Sequence, residues 1–493
     1  MLSDDVLLGM FDFYVDEDGE TKEDVEVWQV LVHVCRRWRS IVFGSPRRLN
    51  LQLFCTSRTS VRDMLDIWPP LPLFVLDARY DSPIEDVDNT IAALKQRHRV
   101  CKIKFCAGSS SDLKNVWAAM QEPLPELVDI TLFALGVGAG IPDTFLGGSA
   151  PGLRCLKLDG IPFPGLPKLL LSTTHLVTLH LNRTPHSEYT SPEAMVNCLS
   201  ALTDLETLAL GFERHNRGSR RPPPPTRSVL PALINFEFTG AIEYWEDLVA
   251  RVDAPRLFHL SITFLHDYEI YFDPPHRDHV EFIGRTPSLE TPKKARITFG
   301  NKTVRVRLSS QTSGTGVLDV GIPTTISTDE QLSYLAQICT SSLPPLSAVE
   351  DLSIIDDLYF EDCLEENIAD RLWLDLLRPF ASVRNFCIHR ASLQRIAPTL
   401  QKLVGGRSTE VLPILQNLFI GGRRPSELVQ ECIGQFASAR RLSGHPITVS
   451  LWDRASEHEG ITRRRIPTSK SPLLSIVLSH QLIVSSTVVV RTH

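Results

Sequence analysis

Leu153-Arg154-Cys155-Leu156-Lys157-Leu158 reads apolar-x-x-apolar-x-apolar. Its last three residues alternate with a period of two, the pattern of a short strand with one face buried. The same pattern occurs at Leu71/Phe74/Leu76, Val100/Ile103/Phe105, Leu127/Ile130/Leu132, Leu176/Leu179/Leu181, Leu205/Leu208/Leu210, Leu233/Phe236/Phe238 and Leu257/Leu260/Ile262. It returns at Val349/Leu352/Ile354, Val383/Phe386/Ile388 and Leu415/Leu418/Ile420. Between these pieces lie helical stretches such as Ile84 to His98, Pro192 to Leu202, Asp329 to Thr340 and Ile368 to Phe380. One strand with one helix cannot close a core, whereas stacked units can. The spacing drifts from 23 to 34 residues, and no Asn or Cys ladder residue sits at a fixed offset. An ordinary α/β domain also alternates Leu-rich strands with helices, but the number of recurrences favours an irregular solenoid over residues 71–453, with a parallel sheet on its concave face.

Outward from the repeats the pattern is interrupted. Arg214 to Arg227 contains Pro222-Pro223-Pro224-Pro225 among arginines, a composition that cannot bury a core, so a loop insertion is expected near 213–228. Between Phe272 and Thr328 the signal blurs, with strand-like pieces at Ala295 to Phe299 and Thr303 to Leu308. Pro446 to Trp452 reads as a final strand, and 454–493 as a tail outside the repeats. Upstream, 51–70 reads as a linker carrying a short helix from Val61 to Trp68.

The first fifty residues differ in kind. Ser3 and Asp4 can cap a helix whose apolar stripe is Val6, Leu7, Met10, Phe11 and Tyr14. A second helix follows, with Leu31, Val34, Cys35, Trp38 and Val42 on one face and His33, Arg36, Arg37, Arg39 and Ser40 on the other. Two short amphipathic helices cannot bury both stripes against each other, so apolar surface is left for a partner.

Leu2-Ser3-Asp4-Asp5-Val6-Leu7-Leu8-Gly9-Met10-Phe11, followed by Leu31-Val32-His33-Val34-Cys35-Arg36-Arg37-Trp38-Arg39-Ser40-Ile41, resembles the F-box. Ser3 stands where that family usually has Pro, and Gly9 lies inside the first helix. An F-box over 1–50 followed by irregular leucine-rich repeats is the arrangement of F-box substrate receptors, including the fungal F-box-like family. The resemblance implies docking on a Skp-type adaptor and, through it, a cullin. Leu2, Val6, Leu7, Met10, Phe11, Leu31, Val34, Cys35, Trp38 and Ile41 occupy the motif positions, with Trp38 expected to be the largest anchor. Sequence does not sort which of them face the adaptor and which fill the module's own core. A protein client would lie on solvent-facing strand positions: Lys157, Thr178, His180, Thr207, Asn235, Glu237 and His259, together with Lys102, Lys104, Asp129, Asp351, Ser353, Asn385 and Asn417. A scaffold that binds partners without linking them to ubiquitin is the alternative.

Composition narrows the rest. The chain has 493 residues, 51 basic and 58 acidic, a net charge of −7 spread along its length and 43% hydrophobic residues. No basic field points to nucleic acid, and no apolar run is long enough for a membrane span. The ten cysteines include no Cys-x-x-Cys and no zinc spacing. No signal peptide is evident, and a reduced cytoplasmic or nuclear protein is expected. Gly136-Val137-Gly138-Ala139-Gly140 lacks the third glycine of a nucleotide fingerprint and reads as a repeat turn. His276-Arg277-Asp278-His279 superficially resembles a kinase catalytic loop, but without its companion motifs it reads as a surface loop. No catalytic constellation is legible, so no enzyme and no cofactor are expected.

Overall fold

A computed structural model describes residues 2–16, 27–46, 49, 51–55, 60–76, 87–107, 110–134, 140–184, 190–212, 226–265, 277–289, 291–300, 303–310, 316–323, 328–356, 370–403, 407–421, 425–452 and 464–465. Where one continuous solenoid is expected, the chain divides into two compact units: 1–291 with 307–323 and 341–344, and 292–306 with 324–340 and 345–493.

In the first unit, strands β1 (Leu53–Cys55), β2 (Leu73–Leu76), β3 (Val100–Ala107), β4 (Asp129–Ala134), β5 (Cys155–Asp159), β6 (Thr178–Thr184) and β7 (Thr207–Phe212) pair in parallel in sequence order. β8 (Ser228–Val229) forms a separate parallel pair with β10 (Val252–Asp253). β9 (Asn235–Gly240) continues the main sheet beside β7, and β11 (His259–Phe264) lies beside β9. After β12 (Lys294–Phe299) and β13 (Thr303–Ser309), β14 (Val317–Pro323) pairs with β11. A repeated hydrogen-bond device sets the entry to each strand. The Val128 carbonyl accepts from both the Arg154 and Cys155 amides, Arg154 from Val177 and Thr178, Val177 from Glu206 and Thr207, Glu206 from Ile234 and Asn235, and Ile234 from Phe258 and His259. Parallel stacking in sequence order is the topology of a leucine-rich-repeat-like solenoid.

The alternation read from the sequence holds from Val100 onward: the apolar triplet residues are buried, and those between the last two are more accessible except at Thr131, Ala209 and Phe419, which are buried as well. Two differences occur at the start. β1 lies inside the stretch read as a linker and pairs Leu53 with Leu73, so the sheet begins earlier than expected. In β2 the buried residues are Leu73 and Val75, one position off the expected Phe74 and Leu76. Leu73-Phe74-Val75-Leu76 is apolar throughout, so it carries no alternation to fix the face.

Three N-terminal helices, α1 (Asp4–Asp16), α2 (Val27–Val34) and α3 (Arg36–Gly44), precede the sheet. The expected single second helix breaks at Cys35, whose backbone is extended and whose Sγ accepts from the Trp38 amide at 3.4 Å as an N-cap. The module is fastened to the sheet by Trp28. Its Nε1 donates to the Gln52 carbonyl at 3.1 Å, and its ring meets Trp68 edge-on at 5.2 Å and Phe43 at 6.0 Å. Along the sheet, α4 (Val61–Ile67), α5 (Val87–Leu94) and α6 (Ser110–Ala119) pack in succession. So do α7 (Leu166–Ser172), α8 (Pro192–Leu199), α9 (Ile242–Val249) and α10 (Arg277–Gly284). Ser191-Pro192 shows why α8 starts where it does: the Ser191 hydroxyl accepts from the Ala194 amide, and Pro192 occupies a position that needs no donor.

α10 corrects the surface-loop reading of His279. That side chain is buried against Trp245 and Phe264, and its Nδ1 accepts from Trp245 Nε1 at 2.9 Å. Burial pushes its pKa from the ordinary 6.5 to about 4, the nearby Ser342 backbone offsetting part of the shift.

In the second unit, β12, β15 (Asp351–Asp356), β16 (Asn385–His389), β17 (Asn417–Gly421) and β18 (Thr448–Trp452) form a parallel run, and β19 (Arg464–Arg465) pairs antiparallel with β18. The helices are α11 (Thr328–Ser341), α12 (Asp370–Leu377), α13 (Arg390–Gln401) and α14 (Glu427–Leu442), the last three packing in succession. Arg440 of α14 is fully buried and forms no ion pair among the described residues. Its guanidinium donates to the carbonyls of Ser408 (3.0 Å), Leu412 (3.2 Å), Pro413 (3.1 Å) and Leu415 (3.2 Å). It thereby holds a loop in which Leu412 has φ +50°. The Gly-rich turn at 136–139, the proline run and the acidic stretches at 17–26 and 361–366 lie outside the described residues, as does 454–493 apart from Arg464 and Arg465.

Candidate protein-interaction surfaces

In the N-terminal module, Leu7, Phe11, Leu31 and Ile41 are buried with Trp28, Val32 and Val42, forming its small core. Leu2, Val6 and Met10 remain about half exposed, joined by Phe13 at 68%. On α2, Val34 is exposed at 56% together with Val30, and Cys35 is exposed at the helix break. The expected stripe through Leu31, Val34, Cys35 and Trp38 is therefore not a single face. Trp38 is half-buried and meets Phe11 edge-on at 4.8 Å, so much of its ring already serves the module's own packing. Phe13 and Val30, absent from the expected set, belong to the uncovered surface. Arg37 ties α3 to α1, its Nη2 donating to Asp4 Oδ1 and to the Leu2 carbonyl, each at 2.6 Å. The result is a filled core with apolar side chains left uncovered on two helices.

The strand face of the first unit is the second surface. Parallel register lines its side chains into rows that cross the strands. One row runs Lys102, Asp129, Cys155, Thr178, Thr207, Asn235, His259. The next runs Lys104, Thr131, Lys157, His180, Ala209, Glu237, Ser261, Asp319. A third includes Asp159, Asn182, Gly211 and Thr239. The expected residues are thus brought onto one surface, but they are not equally free. Lys102 pairs with Asp129 at 3.1 Å and lies over the Phe74 ring, and Asn235 donates to Thr207 Oγ1. Arg183, with φ +47°, folds its guanidinium back onto Asp159 and the Ala134 carbonyl.

His180 sits in the middle row, half-buried, with its Nε2 shielded and without a hydrogen-bond partner. Burial lowers its pKa first, Lys157 lowers it further, and Glu237 acts in the opposite direction. Beside it in the register is Ala209, and both Ala209 and Gly211 of β7 are buried. A Cβ on Gly211 would stand 3.2 Å from Asn182 Oδ1. At the entry edge of the strands a groove of about 510 Å³ is lined by Arg154, His175, Val177, Asp204 and Glu206, with His175 Nδ1 3.1 Å from Asp204.

In the second unit, Asp351, Asn385 and Asn417 are joined to one another. Asn417 Nδ2 donates to Asn385 Oδ1 at 2.8 Å, and Asn385 Nδ2 to Asp351 Oδ1 at 2.6 Å. They form a side-chain ladder that braces the strands, with Ser353 beside it on β15. This corrects the expectation that no ladder residue sits at a fixed offset: in these three repeats an Asp or Asn stands immediately before the second apolar residue of the triplet, at Asp351, Asn385 and Asn417.

Among the described residues, no group of three or more His, Cys, Asp or Glu side chains is placed to hold a metal ion, and no helix is long and apolar enough to cross a membrane. No protein-family model matches the sequence. No curated protein matches it either. Among solved structures, the chain is similar to the leucine-rich repeat-containing protein LegL7 from Legionella pneumophila, at 10% identity and a TM-score of 0.26 over 73% of this chain and 92% of that one. The repeat architecture rests on the strand registers and burial described above.

Proposed function

We propose that this chain is a two-surface adaptor of the F-box kind. The N-terminal helices hold a Skp-type adaptor and through it a cullin, and the repeat sheet presents a protein client for ubiquitin transfer. The supporting observation is the set Leu2, Val6, Met10, Phe13, Val30 and Val34, left uncovered after Leu7, Phe11, Leu31 and Ile41 have filled the module's core. Exposed apolar side chains on two adjoining helices fit a partner's groove. The chain itself performs no covalent step on this reading. It raises the local concentration of client near the conjugating enzyme.

The test is co-purification of the full chain with a Skp-type adaptor. Met10→Asp with Val34→Asp places charge on exposed positions and leaves the core intact, which circular dichroism checks. Wild type is expected to retain the adaptor stoichiometrically and the double variant to lose it by a hundredfold or more. A wild-type chain that ignores the adaptor replaces this reading with a scaffold whose repeat sheet binds partners without a ligase.

A further inference from the structure

Resting on the reading of the sheet as the client surface, we propose that the row Lys157–His180–Ala209–Glu237 receives an extended client segment carrying an acidic and a basic side chain about four residues apart. Four observations lead there. The row is straight, because the registers place Lys157 beside His180, His180 beside Ala209 and Ala209 beside Glu237. Its two charges are opposite and lie at the two ends. Among the described residues neither forms an ion pair, whereas Lys102, Asp129, Asp159 and Arg183 on the flanking rows are already paired. Between them Ala209 carries only a methyl, 3% exposed, so the row has no third charge between its two ends. Next to Ala209 in the row, the His180 imidazole holds a shielded nitrogen with no hydrogen-bond partner among the described residues.

The spacing follows from the sheet. Lys157 and Glu237 are three strand steps apart, about 14 Å at about 4.8 Å per step. An extended chain advances about 3.3 Å per residue, so four residues span the gap. A helix would need about nine residues for the same reach. A segment carrying two like charges would face attraction at one end of the row and repulsion at the other, so the charge order selects the segment and its direction. Lys104 and Asp319, further out on the same row, have the signs that extend this polarity.

The experiment is affinity selection of displayed random dodecapeptides on the full chain, run in parallel on Lys157→Glu, Glu237→Lys and the double charge swap. Wild type is expected to enrich peptides with an acidic and a basic residue four apart in one order. Each single swap is expected to weaken binding of those peptides at least tenfold, and the double swap to enrich the reversed order. Enrichment without the charge pair, selected peptides that bind the single swaps as well as wild type, or no enrichment at all overturns the proposal. The adaptor co-purification is read at the other surface: a chain that holds its adaptor yet fails this selection refutes the row alone, and one that selects peptides yet ignores the adaptor refutes the ligase reading alone.

Discussion

Replacing Arg440 by Met keeps a long side chain in α14 and removes the guanidinium. Removal of a buried ion pair can be nearly neutral when both partners become apolar. Here the partners are four backbone carbonyls, and those cannot be removed. The Leu412 carbonyl still accepts from the Leu415 amide, but the buried carbonyls of Ser408 and Leu415 and the half-buried one of Pro413 each lose a charged donor. Hydrogen bonds to a charged group contribute about 1.5–3 kcal/mol each, and a stranded buried acceptor costs about 1–3. Even the low end of three such losses, about 4 kcal/mol, is a large fraction of a unit's stability. Because a chain with two compact units need not unfold in one step, the readout is amide hydrogen exchange of 407–421 and 427–442 in the full chain. Exchange in Arg440→Met is expected to accelerate by roughly a thousandfold, following from about 4 kcal/mol at 1.4 kcal/mol per decade. Arg440→Lys, with fewer donors and no planar fork, should fall between. Wild-type protection in the Met variant would refute the argument, because the four contacts would then carry no net stabilisation.

Two further outcomes are expected. The unfolded His279 titrates near 6.5 and the folded one near 4, so the unfolded state binds the extra proton between those values. Stability from this residue is therefore present above pH 6.5 and lost as pH falls toward 4, by about 2 kcal/mol between pH 7 and 4.5. Comparing denaturation midpoints of wild type and His279→Gln at both pH values tests this, and an equal pH dependence in the two would count against it. Gly316 leads into β14 where an added Cβ would stand 2.7 Å from the Phe258 carbonyl, 2.8 Å from Leu289 Cδ2 and 2.9 Å from the Ser288 carbonyl. Both carbonyls are held by the bonds they accept from Val317 and Gly316, so Gly316→Ala should cost about 2–3 kcal/mol, visible as a lowered melting temperature. An unchanged melting temperature would mean the strand entry yields.

Much of this architecture was legible because a period-two triplet announces both a strand and the face it buries. From Val100 to Ile420 each triplet named its buried residues, and the residues between the last two are the more accessible ones except at Thr131, Ala209 and Phe419, which are buried as well. The failures share a cause, which is local pattern without contrast. Leu73 to Leu76 is apolar at every position, and Leu53 to Cys55 is too short to stand out from a linker. The break at Cys35 was hidden by a continuous amphipathic stripe, since a thiol is a weak cap and gives little warning. His279 and Arg440 sit inside because particular neighbours meet them, Trp245 at the His279 Nδ1 and the carbonyls of a preceding loop at the two Nη atoms of Arg440, whose Nε has no hydrogen-bond partner among the described residues. Periodicity carries no record of such partners. The strand-face residues are legible one by one, but the row that joins Lys157, His180, Ala209 and Glu237 depends on the register between strands, which no single repeat encodes.

The Trp28 contact has a mechanical meaning. Many adaptors join their modules by a tether, and then the reach between partners is a distribution set by chain entropy. In the first unit the N-terminal helices are instead bolted to the first strand, through an indole bond to Gln52 and the Trp28–Phe43–Trp68 cluster, and Leu49 and Leu51 are buried in the short segment between. From there each strand is hydrogen-bonded to the next as far as β9. On the proposed reading, a partner seated on Met10 and Val34 would be set at a fixed distance and angle from a client between Lys157 and Glu237. The molecule would then work as a ruler, with the number of strands between the two surfaces as its graduation.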